Sequence, residues 1–148
     1  MNHKEKALQY FHRGYNCAQA VFASFADEMC LDEKFALRLS SSFGGGMGRM
    51  REVCGAVSGA LMVLGALKGY DQLDDRTAIN SHYAAVQDFA AQFREIHESI
   101  ICRDLLNLRR GEKSTPSPTV RTDAFYQERP CDRCIADAVE ILETMLSE

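Results

Sequence analysis

The sequence predicts an all-α protein, a single-domain bundle of about six to seven helices over residues 1–148. Three observations predict this fold. Apolar residues repeat at helical spacing along nearly the whole chain, and no segment shows the two-residue alternation of a half-buried strand. Asn or Asp stands just before several of the repeating segments, as helix N-cap residues do. The length suits one domain with one hydrophobic core.

Three helices are expected ahead of the first glycine-rich segment. Asn2 caps the first helix, which ends at Gly14. Asn16 caps the second helix, and Asp32 starts the third. The apolar residues expected on the inner faces are, in chain order, Ala7, Leu8, Tyr10, Phe11, then Ala18, Val21, Phe22, Phe25, then Phe35, Ala36, Leu39 and Phe43.

A glycine-rich loop interrupts the helical pattern after the third helix. Its glycines are Gly44, Gly45, Gly46 and Gly48. Glycine lets the backbone adopt unusual angles or approach a ligand closely, so these four residues are candidate cofactor-binding positions. The loop follows no predicted strand and lacks the Gly-Lys-Ser/Thr ending of a P-loop, which argues against a nucleoside triphosphate site.

A buried central helix is predicted directly after this loop, from about Glu52 to Leu67. Gly55 and Gly59 lie about one helical turn apart in it. Because glycine carries no side chain, we expect another backbone to pack closely against this helix.

Three further helices complete the predicted bundle. A long fifth helix runs from Asp74 or Asp75 to about Glu98, and a short one runs from Cys102 to Leu108. The last helix begins at Pro130, because proline suits the first turn of a helix. Residues 109–129 show no clear period and form one long loop in this interpretation. Loops longer than about 15 residues in a compact domain are usually functional or mobile.

Charge and hydropathy argue against several classes of protein. The net charge of −4 is unfavourable for a general nucleic-acid binder, which needs a basic face. The most apolar run, residues 53–67, is shorter than the roughly 20 residues that cross a bilayer. The N-terminus lacks the apolar stretch of a secretory signal. We therefore expect a cytoplasmic protein that binds no nucleic acid and does not span a membrane.

Six cysteines are the chemically most informative residues of the chain: Cys17, Cys30, Cys54, Cys102, Cys131 and Cys134. In a cytosolic protein, thiols are kept reduced, so metal binding or redox chemistry is the expected use of such a set. Cys17, Cys54, Cys102 and Cys131 each stand at or near the predicted start of a helix. Cys30 lies at the end of the second helix and is interpreted as buried core filler.

A helix start favours the thiolate form of cysteine. Free backbone N–H groups and the positive end of the helix dipole stabilise an anion there and lower the thiol pKa. The thiolate is both the nucleophile of disulfide exchange and a metal ligand, so helix position alone does not choose between these uses. The four helix-start cysteines are therefore candidates for both.

Cys131-Asp132-Arg133-Cys134 is a C-x-x-C motif, which adds Cys134 to the candidate redox cysteines. No strand–helix–strand context supports a thioredoxin fold, and no second C-x-x-C pair predicts a local zinc finger. The absence of C-x-x-C-H argues against covalent haem attachment. The four histidines are scattered, and we interpret them as surface or core residues.

Five segments together resemble the C_GCAxxG_C_C family, whose members are described as redox-active proteins. They are NCAQAV at 16–21, FGGGMG at 43–48, CGAVSGAL at 54–61, CRDLL at 102–106 and DAVEIL at 137–142. The resemblance covers almost the whole chain in the same order. It implies that the four family cysteines correspond to Cys17, Cys54, Cys102 and one of Cys131 or Cys134, with Cys131 favoured by its distance from the last segment.

The resemblance also carries weaker expectations. Family members are small bacterial and archaeal helical proteins whose genes often stand beside transporter genes, which implies a link to a transporter. A related domain occurs in split-Soret cytochromes, and this kinship raises the expectation of an iron–sulfur cluster.

Three hypotheses follow. In the first, Cys54 attacks a disulfide, Cys17 or Cys102 resolves the mixed disulfide, and the partner is a redox protein or a small thiol. In the second, Cys17, Cys54, Cys102 and Cys131 converge on zinc or an iron–sulfur cluster. In the third, the chain is a non-enzymatic helical module, such as a homodimer, whose cysteines are buried filler. The sequence ranks redox chemistry first and metal binding second.

Overall fold

The computed structural model describes residues 1–107 and 115–148, and the regular structure in these ranges is helical. Eight α-helices follow in the order α1 (His3–His12), α2 (Cys17–Ser24), α3 (Glu33–Ser40), α4 (Gly55–Lys68), α5 (Arg76–His97), α6 (Cys102–Leu105), α7 (Asp123–Glu128) and α8 (Cys131–Leu146). A 3-10 turn, Ser41–Phe43, follows α3. The predicted all-α fold is confirmed.

Side-chain caps fix the starts of the first helices, as predicted. Asn2 accepts a hydrogen bond from the backbone N–H of Glu5, while the Glu5 carboxylate accepts one from the Asn2 N–H. Asn16 and Gln19 form the same reciprocal capping box at α2. Asp32 caps α3 through its carboxylate. A cap of this kind contributes about 0.5–2 kcal/mol to helix stability.

The central helix is α4, and α2, α5 and α8 all pack against it. Its inner face is buried, with Val57 and Val63 fully covered. A Cβ atom added at Gly59 would lie 2.8 Å from the carbonyl oxygen of Ala18, and one at Gly55 would lie 3.0 Å from the Ala18 amide nitrogen. The predicted close approach of a second backbone is confirmed, and that backbone belongs to α2.

The start of the central helix differs from the prediction. It begins at Gly55 rather than near Glu52 because the preceding residues are extended: Val53 pairs with Ile101 in an isolated antiparallel bridge. The Cys102 N–H donates to the Glu52 carbonyl at 2.6 Å. These backbone bonds take the place of a first helical turn.

The predicted long loop contains a helix, α7, which raises the number of helices in the described ranges to eight. Thr122 caps it by accepting a hydrogen bond from the Phe125 N–H. Six residues are too few to show a helical period in the sequence. Helix α6 ends at Leu105, whereas the predicted end at Leu108 and the first residues of the predicted loop lie outside the described ranges.

Two predictions of burial are wrong. Helix α3 buries Ala36, Leu37 and Ser40, whereas Phe35 and Leu39 are 43% and 45% exposed. Ser40 is tolerated inside because its hydroxyl donates to the Ala36 carbonyl at 2.8 Å. Cys30 is exposed rather than core filler, because the chain has left α2 and turns there in a left-handed conformation with φ of 57°.

No helix in the described ranges is long and apolar enough to cross a membrane.

Candidate functional site

A cavity of about 550 Å³ opens where the starts of α2, α4 and α8 meet the glycine-rich loop and the segment 116–130. Five of the six cysteines line it, and they are the five that the sequence marks as candidates: Cys17, Cys54, Cys102, Cys131 and Cys134. Exposed Cys30 does not line it. The fold therefore gathers residues that are up to 117 positions apart in sequence, from Cys17 to Cys134, around one space.

Helix starts bring these thiols together, as the sequence predicts. Cys17, Cys102 and Cys131 are the first residues of α2, α6 and α8, and Cys54 is the N-cap of α4. The Cys54 N–H donates to the Ile100 carbonyl at 2.7 Å, which ties the start of α4 to the segment leading into α6.

Cys54 and Cys134 form a buried pair of thiols with opposite pKa shifts. The hydrogen bond from Cys134 lowers the pKa of Cys54, and the backbone N–H groups of Val57 and Ala56 at the start of α4 lower it further, against the opposing effect of burial. The same hydrogen bond and burial raise the pKa of Cys134 well above its ordinary value. Cys54 therefore favours the thiolate form, whereas Cys134 keeps its proton.

Cys131 and Cys17 form a second pair with the same asymmetry. The hydrogen bond from Cys17 and the positive charges of Arg129 and Arg121 lower the pKa of Cys131, against the opposing effect of burial. The pKa of Cys17 is raised by that hydrogen bond and by burial. The C-x-x-C motif thus sends its two cysteines to different partners, Cys131 to Cys17 and Cys134 to Cys54.

The side-chain partner of Cys102 is Arg51. Burial raises the pKa of Cys102, although the Arg51 guanidinium 3.7 Å from its Sγ acts in the opposite direction.

His97 is a neighbour of Cys134 that the sequence interpretation missed. Its Nδ1 lies 4.0 Å from the Cys134 Sγ, and its Nε2 lies 2.8 Å from the Asp137 carboxylate. The side chain of His97 is 6% exposed. The sequence interpretation treated His97 as an ordinary surface or core histidine and missed its contacts with Cys134 and Asp137. These contacts could not be predicted from a local motif, because His97 lies on α5 and its two partners lie on α8.

The glycine-rich loop forms one wall of the cavity through Gly44, Gly45, Gly46 and Gly48. Residues 45–49 all have φ between 55° and 72°, a left-handed conformation that L-residues rarely adopt. Glycine is required at Gly46 in particular, where a Cβ would lie 2.6 Å from the backbone nitrogen of Glu52. The loop contributes its backbone wall and the side chains of Arg49 and Arg51 to the cavity.

Among the residues that the structure describes, four arginines line the same cavity, and sequence reasoning did not single them out: Arg49, Arg51, Arg121 and Arg129. Arg121 is fixed by donating to the backbone carbonyls of Phe11 and Tyr15. Arg129 lies over the ring of Phe125, with 4.8 Å from its Cζ to the ring centroid. These arginines could not be recognised as a set from the sequence, because they come from two separate segments that meet only in the folded protein.

The predicted metal ligands Cys17, Cys54, Cys102 and Cys131 share the cavity, but they do not form a compact set. In the part of the chain that the structure describes, no group of three or more His, Cys, Asp or Glu side chains is arranged to hold a metal ion. Zinc and iron–sulfur centres are commonly held by four such ligands, so we derive no step through a metal.

Comparison with known proteins finds a family model, "Putative redox-active protein (C_GCAxxG_C_C)", that matches residues 15–145. No curated protein and no solved structure matches the chain.

Proposed function

Since the chain belongs to the C_GCAxxG_C_C family of redox-active proteins, we propose that it performs thiol–disulfide exchange with Cys54 as the attacking thiolate and Cys134 as the resolving thiol. One observation carries this proposal: Cys54 caps the start of α4 and lines the same cavity as Cys134, and the mutual interaction of these two buried thiols shifts their pKa values in opposite directions. A dithiol that reduces a disulfide needs one ready nucleophile and one protonated partner in reserve.

The first step is attack on a small disulfide R–S–S–R in the cavity. The Cys54 thiolate forms a bond to one sulfur, the S–S bond breaks, and the other sulfur leaves as a thiolate that takes a proton from solvent. Cys54 then carries R–S in a mixed disulfide. The amides of Ala56 and Val57 hold the negative charge on Cys54 before the attack.

The second step resolves the mixed disulfide. Cys134 gives its proton to His97, whose imidazole lies 4.0 Å away and is oriented by Asp137. The Cys134 thiolate attacks the Cys54 sulfur, the bond from Cys54 to R–S breaks as the Cys54–Cys134 disulfide forms, and the leaving R–S⁻ takes the proton from His97. The sum is R–S–S–R and a protein dithiol giving two R–SH and a protein disulfide. A dithiol reductant returns the protein to its starting state by the reverse exchange.

The geometry favours Cys134 as the resolving partner over Cys17 or Cys102, which the sequence favours. Cys134 is the hydrogen-bond partner of Cys54, whereas Cys17 pairs with Cys131 and Cys102 faces Arg51. Cys131 and Cys17 supply a second dithiol beside the first.

The test is exchange between the reduced protein and bis(2-hydroxyethyl) disulfide. We expect Cys54→Ser to lose fast release of 2-mercaptoethanol, and Cys134→Ser to stop after one equivalent with the mixed disulfide trapped on Cys54, as read by mass spectrometry. Cys30→Ser is the matched control, because Cys30 is exposed and outside the cavity. If Cys54→Ser exchanged as fast as Cys30→Ser, Cys54 would not be the nucleophile.

The competing hypothesis, a metal centre held by the cavity cysteines, has its own measurement. Anaerobically purified protein is analysed for zinc and iron and scanned for visible absorption. Our proposal predicts that the exchange-active protein contains neither metal in stoichiometric amount; one equivalent of zinc, or a brown cluster lost together with Cys54, would favour the metal hypothesis instead.

A further inference from the structure

The cavity around the cysteines has an unusual charge. Four arginines line it, and among its described lining residues there is no Asp or Glu. The whole chain has a net charge of −4, so this concentration of positive charge runs against the overall composition. None of the four arginines forms an ion pair with a carboxylate within residues 1–107 and 115–148.

Arg51 supplies the strongest single observation. Its side chain is 5% exposed, and its Nε is a buried donor with no hydrogen-bond partner in the described structure. An unsatisfied buried donor on a charged group costs free energy that a ligand acceptor recovers. Arg51 lines the cavity, so an anion placed there lies beside the Arg51 side chain.

The backbone holds two of these arginines in strained conformations. Arg49 and Arg51 have φ of 65° and 63°, although neither is glycine. Left-handed conformations are unfavourable for L-residues, and such strain is concentrated at functional sites. This backbone path places Arg49 and Arg51 at one wall of the cavity.

The guanidinium groups also act on one another. Burial, together with repulsion from Arg51 and Arg129, lowers the pKa of Arg49. Gathering like charges around a shared space is unfavourable unless an anion balances them. Binding an anion relieves this repulsion.

We propose that this cavity binds small dianionic disulfides, whose carboxylates are held by the arginines while the S–S bond faces Cys54. The volume of about 550 Å³ lies in the range of sites for small molecules. The disulfide part of this inference rests on the proposed function, whereas the preference for anions rests on the arginines alone.

A binding experiment tests the charge preference without any redox chemistry. Adipate and 1,6-diaminohexane have six-carbon chains, carry opposite charges and contain no sulfur. We expect calorimetry to detect adipate binding to the reduced protein and no 1,6-diaminohexane binding, with adipate affinity falling as salt is added.

Variants locate the site. Arg51→Gln and Arg129→Gln are each expected to weaken adipate binding by about tenfold, the scale of one lost charge-assisted hydrogen bond. Arg129→Gln covers the case in which buried Arg51 is needed for folding. Arg38→Gln, an exposed arginine on α3 outside the cavity, is the matched control and is expected to leave binding unchanged. Equal binding of the two probes, no adipate binding, or equal weakening by Arg38→Gln would overturn the anion site.

A charge series of disulfides tests the identity of the ligand. Dithiodiglycolate is anionic, bis(2-hydroxyethyl) disulfide is neutral and cystamine is cationic. The rate at which each disulfide reacts with the protein is divided by the rate at which it reacts with free 2-mercaptoethanol, which corrects for intrinsic reactivity. We expect dithiodiglycolate to react at least about tenfold faster than cystamine on this scale, and Arg129→Gln to reduce the ratio. Equal normalised rates would overturn the selection by charge but leave exchange intact; adipate binding without reaction of any disulfide would overturn the proposed function and leave the anion site.

Discussion

The acidity of Cys54 depends on a few named contacts. Its N-cap position gives it two backbone donors, and Cys134 gives it a third. Burial opposes these contacts, since it penalises the charged form. Because these contacts outweigh burial, the pKa of Cys54 lies below its ordinary value and the reactive thiolate is favoured.

Cys134→Ala is expected to raise the pKa of Cys54, because it removes the thiol that contributes most to lowering that pKa. The Cys54 thiolate then forms only at higher pH, so alkylation of Cys54 by iodoacetamide at neutral pH slows. Cys134→Ser keeps a hydroxyl donor and is expected to retain most of the effect. The measurement is the pH dependence of the alkylation rate in a Cys30→Ser background, and identical profiles for the Ala and Ser variants would contradict the role of this hydrogen bond.

His97→Gln is expected to slow the second step of exchange and not the first. The imidazole next to Cys134 is lost, so the mixed disulfide on Cys54 accumulates while its rate of formation is unchanged. His82→Gln, a change on the same helix away from the cavity, is the control. A uniform slowing of both steps would indicate that His97 only supports the structure.

The five cavity cysteines could be identified from the sequence, because helix starts and the C-x-x-C spacing are local signals. His97 and the arginines could not. The contact of His97 with Cys134 joins α5 to α8, which are distant in sequence. The four arginines can be recognised as a group only because the fold places them around the same cavity. The opposite assignment of the two C-x-x-C cysteines is likewise a property of the packing of α8 against α2 and α4.

At the scale of elements, the contact between α2 and α4 positions the site. Gly55 and Gly59 let the two helices approach until backbone meets backbone at Ala18. Cys17 begins one of these helices and Cys54 caps the other, so their close approach also sets the distance between the two thiol pairs.

Gly59→Ala is expected to destabilise the protein by about 1–3 kcal/mol, because its Cβ would lie 2.8 Å from the Ala18 carbonyl oxygen. Gly65→Ala in the same helix is the matched control, since no atom lies within 4 Å of its Cβ position. That change is expected to stabilise by about 0.5–1 kcal/mol through helix propensity. Both are measured by urea denaturation; equal effects of the two changes would refute the close packing of α2 against α4.

Helix boundaries show where sequence patterns lose information. Caps at Asn2, Asn16 and Asp32 are read directly from residue type, and all three are confirmed. The start of α4 and the short helix α7 were missed, because a single backbone bridge and a six-residue helix leave no periodic signal. Glycine-rich composition predicted a break at 44–48 without predicting its left-handed path.

For the whole molecule, the all-α fold follows from hydrophobic periodicity and was predictable. Hydrophobic periodicity does not predict that the arginines and the cysteines line the same cavity. An acidic protein encloses a basic cavity, and the two thiolate-favouring cysteines, Cys54 and Cys131, both line it. This combination suits capture of an anion followed by attack on its sulfur.

The most direct test of the account is the disulfide connectivity of the protein after oxidation by a stoichiometric amount of bis(2-hydroxyethyl) disulfide. Free thiols are alkylated and the protein is digested without reduction. Peptide mapping is expected to show a Cys54–Cys134 disulfide as the first product, with Cys30 in the alkylated form that marks a free thiol. A first product that joins Cys131 to Cys134, or one that leaves both Cys54 and Cys134 free, would contradict the central claim.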